Sequence, residues 1–383
     1  RVAADTQIFT PALPAPRVRW SPDGQTISFL ALADGRPQVF TVNASGGSGR
    51  AITRAPEGVS AYEWSPDGRY LAFLSRDAAP KTPPVANKVG GLSPATRIWL
   101  QPLEPAGAAR VLTPADQYVD SFSWSPDNQR VAYAFAPVTG FLAPYSTRIF
   151  SVAIADGAAQ PIIDRPGMNV SPQYSPDGQR LSFVTTSEKT GIIAPRGLAV
   201  ATAVGARWDV RSYPMSGAWI AETTWAPDGQ ALFVTMNEGT FATGAGMFEM
   251  PIVRVNLADG NAERLGNGAT VEYSMSISRD GRTMAYREVQ ARTMGDVVVR
   301  DMATRKTQRL TTVNPELTNL ALGDLKAVSW KSFDGMEIWG LLLTPPGYDP
   351  PSPGASARQA GRSRLPLLVY CHGGPIGGVT LGL

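Results

Sequence analysis

The apolar positions of this chain come in short runs, such as Leu71-Ala72-Phe73-Leu74, each entered from a polar turn. Runs of that length suit strands buried on both faces. The turns themselves repeat. Six stretches align on one another: "RWSPDGQTISFLA" from Arg19, "EWSPDGRYLAFLS" from Glu63, "SWSPDNQRVAYAF" from Ser123, "QYSPDGQRLSFVT" from Gln173, "TWAPDGQALFVTM" from Thr224 and "SISRDGRTMAYRE" from Ser276. Their second positions, Trp20, Trp64, Trp124, Tyr174, Trp225 and Ile277, lie 44, 60, 50, 51 and 52 residues apart. A period near 50 fits a four-stranded unit and not a helix pair.

The chemistry of the segment predicts a hairpin. Pro fixes φ at the first central position, Asp caps its own backbone, and Gly accepts the positive φ that reverses the chain. The aromatic before the turn ends one strand and the apolar run begins the next. A second hairpin follows in each unit, for example "PQVFTVNASGGSGRAIT" from Pro37 and "GDVVVRDMATRKTQRLT" from Gly295. Four-stranded units repeating radially are the blades of a β-propeller, which hides its sheet edges by packing blade on blade. The insertion Ala79 to Thr96 accounts for the 60-residue interval and is expected to be a surface loop.

Composition narrows the picture. Hydrophobic residues at 43% leave ample material for a core, while 38 Gly and 33 Pro point to many turns and few long helices. The net charge of +3 comes from basic residues scattered singly, so no nucleic-acid footprint is present. One cysteine excludes an internal disulfide, and one cysteine with one histidine cannot supply a zinc site. No cofactor is implied. No apolar run is long enough for a transmembrane helix, and no secretory leader is visible at Arg1. The compartment, cytoplasm or periplasm, and self-association into a homo-oligomer are left open.

The W-S-P-D-G repeat resembles the one shared by the TolB protein and by the N-terminal domains of the prolyl oligopeptidase family of serine peptidases. Residues 5–21 read like the end of one unit running into the next, so the sequence predicts six full blades and part of a seventh.

Beyond the sixth repeat, "AVSWKSFDGMEIWGLLLTPPGYDP" from Ala327 is either a degenerate seventh copy or a new element. An expected strand at Ile338–Leu343 is broken by Pro345-Pro346-Gly347-Tyr348, and a loop containing the solvated stretch "SARQAGRSR" leads to an expected apolar strand, Leu367–Tyr370. In the peptidase family a segment of this kind opens the catalytic α/β-hydrolase domain. The expected domains are therefore residues 1–322, the propeller, and 323–383, the start of the hydrolase, with the junction near Ala321 to Lys326.

The strand runs into Cys371-His372-Gly373-Gly374-Pro375, where two adjacent glycines let the backbone turn and expose its N–H groups. The resemblance makes this the oxyanion-hole loop, Gly374 donating its N–H and Gly373 shaping the turn. His372 is the only histidine, but in these hydrolases the base lies downstream of the nucleophile, so it is expected to be a structural loop residue, and Cys371 a small strand-end residue. No G-x-S-x-G is present; the nearest stretch, "GGSGR" from Gly46, lies in a blade hairpin. The resemblance therefore implies a serine-type oligopeptidase acting on short peptides, its propeller restricting entry to a Ser-Asp-His site outside this chain, which by itself is expected to be inactive. Absence of a Glu-Glu dipeptide favours the acylaminoacyl branch over the dipeptidyl branch. A TolB-like propeller that binds a protein or peptide is the alternative, and a damaged reading frame a third. The repeated Trp20, Trp64, Trp124 and Trp225 are expected to be core, and Asp23, Asp67, Asp127, Asp177, Asp228 and Asp280 turn formers and not acid–base catalysts.

Overall fold

The structure, a computed structural model, describes residues 18–78, 94–140, 142–190, 194, 196–213, 215, 220–237, 249–266, 270–290, 293–348 and 365–370. Its regular elements are strands joined by tight turns, with two short 3₁₀ turns at Ala143–Ser146 and Pro315–Asn319 and no α-helix among the described residues.

Six antiparallel sheets of four strands, each with its strands in chain order, are the blades of a β-propeller, as the repeat predicts. Blade one holds β1 (Arg19–Trp20), β2 (Thr26–Ala33), β3 (Arg36–Asn43) and β4 (Arg50–Ala51). Blade two holds β5 (Ala61–Trp64), β6 (Tyr70–Arg76), β7 (Thr96–Pro102) and β8 (Arg110–Val111). Blade three holds β9 (Tyr118–Trp124), β10 (Arg130–Ala136), β11 (Arg148–Ala153) and β12 (Ala159–Ile163). Blade four holds β13 (Asn169–Tyr174), β14 (Arg180–Thr185), β15 (Gly197–Val204) and β16 (Arg207–Tyr213). Blade five holds β17 (Ile220–Trp225), β18 (Ala231–Met236), β19 (Ile252–Asn256) and β20 (Ala262–Arg264). Blade six holds β21 (Val271–Ile277), β22 (Thr283–Gln290), β23 (Thr293–Asp301) and β24 (Thr307–Arg309), and a hairpin of β25 (Leu325–Lys331) and β26 (Glu337–Leu343) follows.

The chain divides into two compact units, Arg1–Gly191 with Leu198–Ser212 and Ile192–Gly197 with Tyr213–Leu383. Blades one to four belong to the first apart from Gly197 and Tyr213, and blades five and six with the hairpin belong to the second.

The Pro-Asp-Gly turn forms by the expected chemistry. In blade one Ser21 C=O accepts the Gly24 N–H at 2.9 Å, while Asp23 Oδ1 accepts the Gln25 N–H at 3.0 Å and the Ser21 hydroxyl at 2.5 Å. Gly24, Gly68, Gly178, Gly229 and Gly281 stand at φ of +71°, +74°, +72°, +67° and +71°, where a β-carbon is disfavoured, and Asn128 holds the same place in the third repeat at +63°. The strand that follows is the core of each blade: all six residues of β18 are buried, and so are Leu71 through Ser75 in β6. Fully burying one such aliphatic side chain is worth about 1.5–3 kcal/mol.

In blades two, three and four the end of the first strand is hydrogen-bonded back to the preceding blade. Trp64 Nε1 donates to Ser28 Oγ of blade one at 2.8 Å, Trp124 Nε1 to the Glu63 carbonyl of blade two at 3.3 Å, and the Tyr174 N–H to Ser123 Oγ of blade three at 3.4 Å. Trp124 and Trp225 are core, as expected; Trp64 is half-buried, and Trp20 is 57% exposed. Trp20 therefore departs from the expectation for a physical reason: among the described residues no blade precedes blade one to receive it. The part-blade expected at residues 5–21 and the loop at Ala79–Thr96 lie largely outside the described residues.

Candidate functional site

The repeated carboxylates are turn chemistry in the structure as in the sequence. Hydroxyl donation from Ser21, Ser175 and Ser278 holds Asp23, Asp177 and Asp280 below the ordinary value of 3.8, with backbone N–H donors adding to the effect. Carboxylates held in the charged form and committed to backbone donors are poor proton carriers at neutral pH.

The stretch after blade six is a hairpin. Ser332-Phe333-Asp334-Gly335 turns as the repeat does: Ser332 C=O accepts the Gly335 N–H at 3.0 Å, and Asp334 Oδ1 accepts the Met336 N–H at 3.0 Å. Yet β25 and β26 form a two-stranded sheet of their own, so this copy of the turn does not belong to a four-stranded blade. Tyr348 then donates to the Pro345 carbonyl at 3.2 Å with Gly347 at φ +71°, a tight turn that stops β26 where the two prolines predict.

Leu367–Tyr370 corrects an expectation. The sequence predicts a buried strand, but 365–370 is hydrogen-bonded into no sheet, and Leu368 is 92% exposed. A buried parallel strand needs hydrogen-bonding neighbours on its edges, and among the described residues the nearest sheet in the chain is the self-contained pair β25–β26. Cys371, His372, Gly373 and Gly374 lie outside the described residues. Accordingly the described residues contain no histidine and no Ser-His pair, and among them no group of three or more side chains is placed to hold a metal ion.

What the sequence reading missed is polar chemistry inside the blades. In blade one Gln38 Oε1 accepts the Thr53 hydroxyl at 2.8 Å and the Ala55 N–H at 2.9 Å, and Thr53 Oγ1 accepts the Val39 N–H at 2.9 Å. Blade six repeats this with a charge: Asp296 Oδ1 accepts Thr311 Oγ1 at 3.0 Å and the Val313 N–H at 2.7 Å, its Oδ2 meets Arg309 at 2.9 Å, and Thr311 Oγ1 accepts the Val297 N–H at 2.9 Å. Thr113 caps the Ile98 N–H of blade two in the same way at 3.1 Å. Each threonine stands two residues past the fourth strand, a signal present in the sequence but faint beside Pro-Asp-Gly.

Blade six also buries a charge pair, Glu272 and Arg300, 3.7 Å apart with side chains 2% and 5% exposed. Glu272 Oε2 accepts the Ile252 N–H at 2.8 Å; Arg300 donates to the Tyr286 hydroxyl at 3.0 Å and to the Leu265 carbonyl. Burial pushes the Glu272 carboxyl up, opposed by the Ile252 N–H and by Arg300. Gly266 lies against this carboxylate, where a β-carbon would meet Oε1 at 2.7 Å. With every partner internal, the pair ties β19, β21, β22 and β23 together and presents no reactive atom to solvent.

A family model described as the TolB beta propeller domain matches residues 106–319, more than half of the chain. Among curated proteins, dipeptidyl-peptidase 5 of Porphyromonas gingivalis is 24% identical over 264 residues, covering 67% of this chain and 35% of that protein. The chain thus spans about a third of the curated relative it matches. Among solved structures, an acylaminoacyl peptidase in complex with Z-Gly-Gly-Phe-chloromethyl ketone superposes with a TM-score of 0.66 at 15% identity, over 86% of this chain and 50% of the other. TolB from Acinetobacter baumannii superposes with a TM-score of 0.50 at 15% identity, over 77% of this chain and 62% of the other.

Proposed function

The chain belongs to the TolB β-propeller family, and from that premise we propose that it is the propeller and hydrolase-opening part of a serine-type oligopeptidase acting on short peptides. The observation that carries this reading is the order of elements. Six blades are followed by a hairpin that is not a blade, then by the Pro345-Pro346-Gly347-Tyr348 turn, then by an apolar run leading into His372-Gly373-Gly374-Pro375. The curated relative and the superposed acylaminoacyl peptidase bear peptidase names and support the same reading. The domains it assigns are 1–322 and 323–383.

In this scheme Gly374 donates its N–H to the oxyanion formed when a serine attacks the scissile carbonyl, and Gly373 lets the loop turn. The apolar run Leu367–Tyr370, exposed as described, is the element that a hydrolase sheet would cover. The propeller's part is to limit the size of the peptide that enters. No metal or cofactor is needed for acylation and deacylation of a serine.

The test is to express the complete reading frame of the gene and to assay N-acetylated and free dipeptidyl p-nitroanilides side by side. A G-x-S-x-G downstream, labelled by a fluorophosphonate, with Gly374→Pro lowering kcat by roughly 10²–10³-fold (about 2.7–4 kcal/mol), is the expected result. Preference for the acetylated substrates would follow from the missing Glu-Glu dipeptide, and preference for free dipeptides would move the chain toward its curated relative's activity. A frame without a nucleophile serine would remove the peptidase reading. The second reading, a partner-binding propeller like TolB, rests on the family model itself and would then stand.

A further inference from the structure

One rung of blade six is built differently from the same rung of its neighbours. Glu272 of β21 pairs with Glu288 of β22, and Glu288 with Asp296 of β23, so three adjacent strands carry a carboxylate side by side on one face of the sheet. At the equivalent place, five residues before the turn aromatic, blade five pairs Ile220 with Met236 and blade four pairs Asn169 with Thr185. The first pair is apolar and buried; in the second the Thr185 hydroxyl donates to Asn169 Oδ1 at 3.0 Å, without charge. The fold therefore asks for no carboxylate here. Like charges directly opposite one another in a ladder repel, and burial sharpens the cost, since the Glu272 and Asp296 side chains are only 2% and 3% exposed.

The charges of the rung do not balance. Asp296 is fully engaged as an anion by Arg309, the Thr311 hydroxyl and the Val313 N–H. Arg309 reaches on to Glu288 at 3.6 Å, and Gln290 Nε2 donates to the same carboxylate at 2.7 Å. Glu272 keeps one close donor, the Ile252 N–H at 2.8 Å; Thr270 Oγ1 stands at 3.5 Å and Arg300 at 3.7 Å. Arg300 makes its nearer bonds to the Tyr286 hydroxyl and the Leu265 carbonyl, and Arg264, on β20, is held by Glu249 at 2.6 Å. Three carboxylates thus share two guanidiniums, Arg300 and Arg309, and one negative charge is left over. The least supported carboxylate is Glu272. Burial pushes its carboxyl above the ordinary 4.5, the Ile252 N–H and Arg300 oppose this, and Glu288 adds to it. Tyr286, the remaining titratable group against it, is raised by burial as well and stays a neutral phenol.

We propose that the Glu272, Glu288 and Asp296 rung is a proton-operated latch: one proton taken up by Glu272 brings the rung to neutrality and tightens blade six, and its loss loosens β21 against β22. Glu288, its side chain 15% exposed, is the point at which the rung meets solvent. The sign follows from linkage. A carboxyl raised in the fold binds its proton more tightly there than in the unfolded chain, so the stability it confers is full with the proton bound and is lost as pH climbs from 4.5 through the raised value. The turn aspartates act in the opposite sense and at lower pH. The inference does not rest on the peptidase reading.

Hydrogen exchange of the purified chain, read by mass spectrometry on peptides from β21 to β23 and corrected for the intrinsic pH dependence of exchange, tests it at about pH 5.5 and about pH 8, where ordinary carboxylates stay charged. Blade six should open roughly two- to fivefold more often at the higher pH, the worth of one unfavourable cross-strand charge pair, while blade four, with Asn169 and Thr185 at the same rung, should not change. Glu272→Gln, isosteric with the protonated acid, should open equally at both pH values, and Glu288→Gln should shrink the difference. His372 and the N-terminal amine titrate in this range in every variant and cancel in the comparison. Equal opening of the parent at both pH values, or a difference that survives unchanged in Glu272→Gln, would overturn the proposal; should that variant not fold, an unchanged difference in Glu288→Gln would do the same.

Discussion

Asn128 is where the third repeat departs from the others, and its replacement separates two forces that act on the turns. Its backbone stands at φ +63°, like the glycines of the other repeats, and its Oδ1 accepts the Asp67 N–H from the turn of blade two at 2.8 Å. An ordinary L-residue in this left-handed region costs about 1–2 kcal/mol, less for asparagine. An exposed hydrogen bond contributes about 0.5–1.5 kcal/mol. Asn128→Ala keeps the strained backbone and loses the bond, so it should destabilise the first unit by about 1–2 kcal/mol. Asn128→Gly loses the bond but relieves the strain, offset by about 0.5–1 kcal/mol of extra freedom in the unfolded chain, and should stay within about 1 kcal/mol of the parent. Urea melts followed by tryptophan fluorescence read this out: with m near 2 kcal/mol/M, Ala should lower the midpoint by about 0.5–1 M and Gly by half as much or less. A glycine variant weaker than the alanine variant would refute the reasoning, because the left-handed backbone would then not be the larger cost.

Three other outcomes follow from the same structure. Gly58→Ala should cost about 2 kcal/mol or more, since φ is +79° and the new β-carbon would meet Pro37 Cδ at 2.8 Å; Gly24→Ala, at φ +71° with nothing within 4 Å, should cost about 1 kcal/mol, and thermal melts compare them. Because Asp23, Asp177 and Asp280 are held below 3.8 in the fold, their contribution is full above that pH and is lost as pH falls through the depressed values; acid titration of the melting midpoint should show the loss below pH 3.8, shallower in Ser175→Ala. Arg300→Met should cost about 3–5 kcal/mol by leaving the Glu272 carboxylate buried and unpaired, whereas Glu272→Gln with Arg300→Met should cost clearly less than the single change, as a double-mutant cycle in urea would show.

The blades were legible because the turn that starts each one is a local event. Pro, Asp and Gly set three successive backbone conformations, and the six copies confirm one another, so Ser21-Pro22-Asp23-Gly24 could be read without knowing what it packs on. Trp20 was misjudged for the opposite reason: burial at that position is supplied by another blade, which the residue itself does not encode. Leu367–Tyr370 fails in the same way, its composition giving strand character while neighbours decide burial. Asp296, Glu272 and Arg300 were hidden because the partners described above lie 13 to 35 residues away in sequence. A charge inside the alternating run of β23 was the available sign, since a carboxylate on a core face is tolerated only with partners waiting.

The repeat also tells where chemistry specific to this chain must be sought. Three of the turn glycines lie over the proline of the blade before, Gly68 over Pro22, Gly178 over Pro126 and Gly281 over Pro227 at 3.7, 3.4 and 3.7 Å from an added β-carbon, so these positions are fixed by stacking and are poorly free to serve a ligand. Freedom lies where one blade differs from its neighbours at an equivalent place. Three departures stand out: Asn128 for glycine, the Glu272–Arg300 pair in blade six, and Trp99 for phenylalanine in blade two. The first is explained by its bond to Asp67, and the second has internal partners for the Glu272 carboxylate and for two of the Arg300 nitrogens, while Arg300 Nε is buried without one. The third, like the second, leaves a buried donor without a partner, Trp99 Nε1 in blade two and Arg300 Nε in blade six.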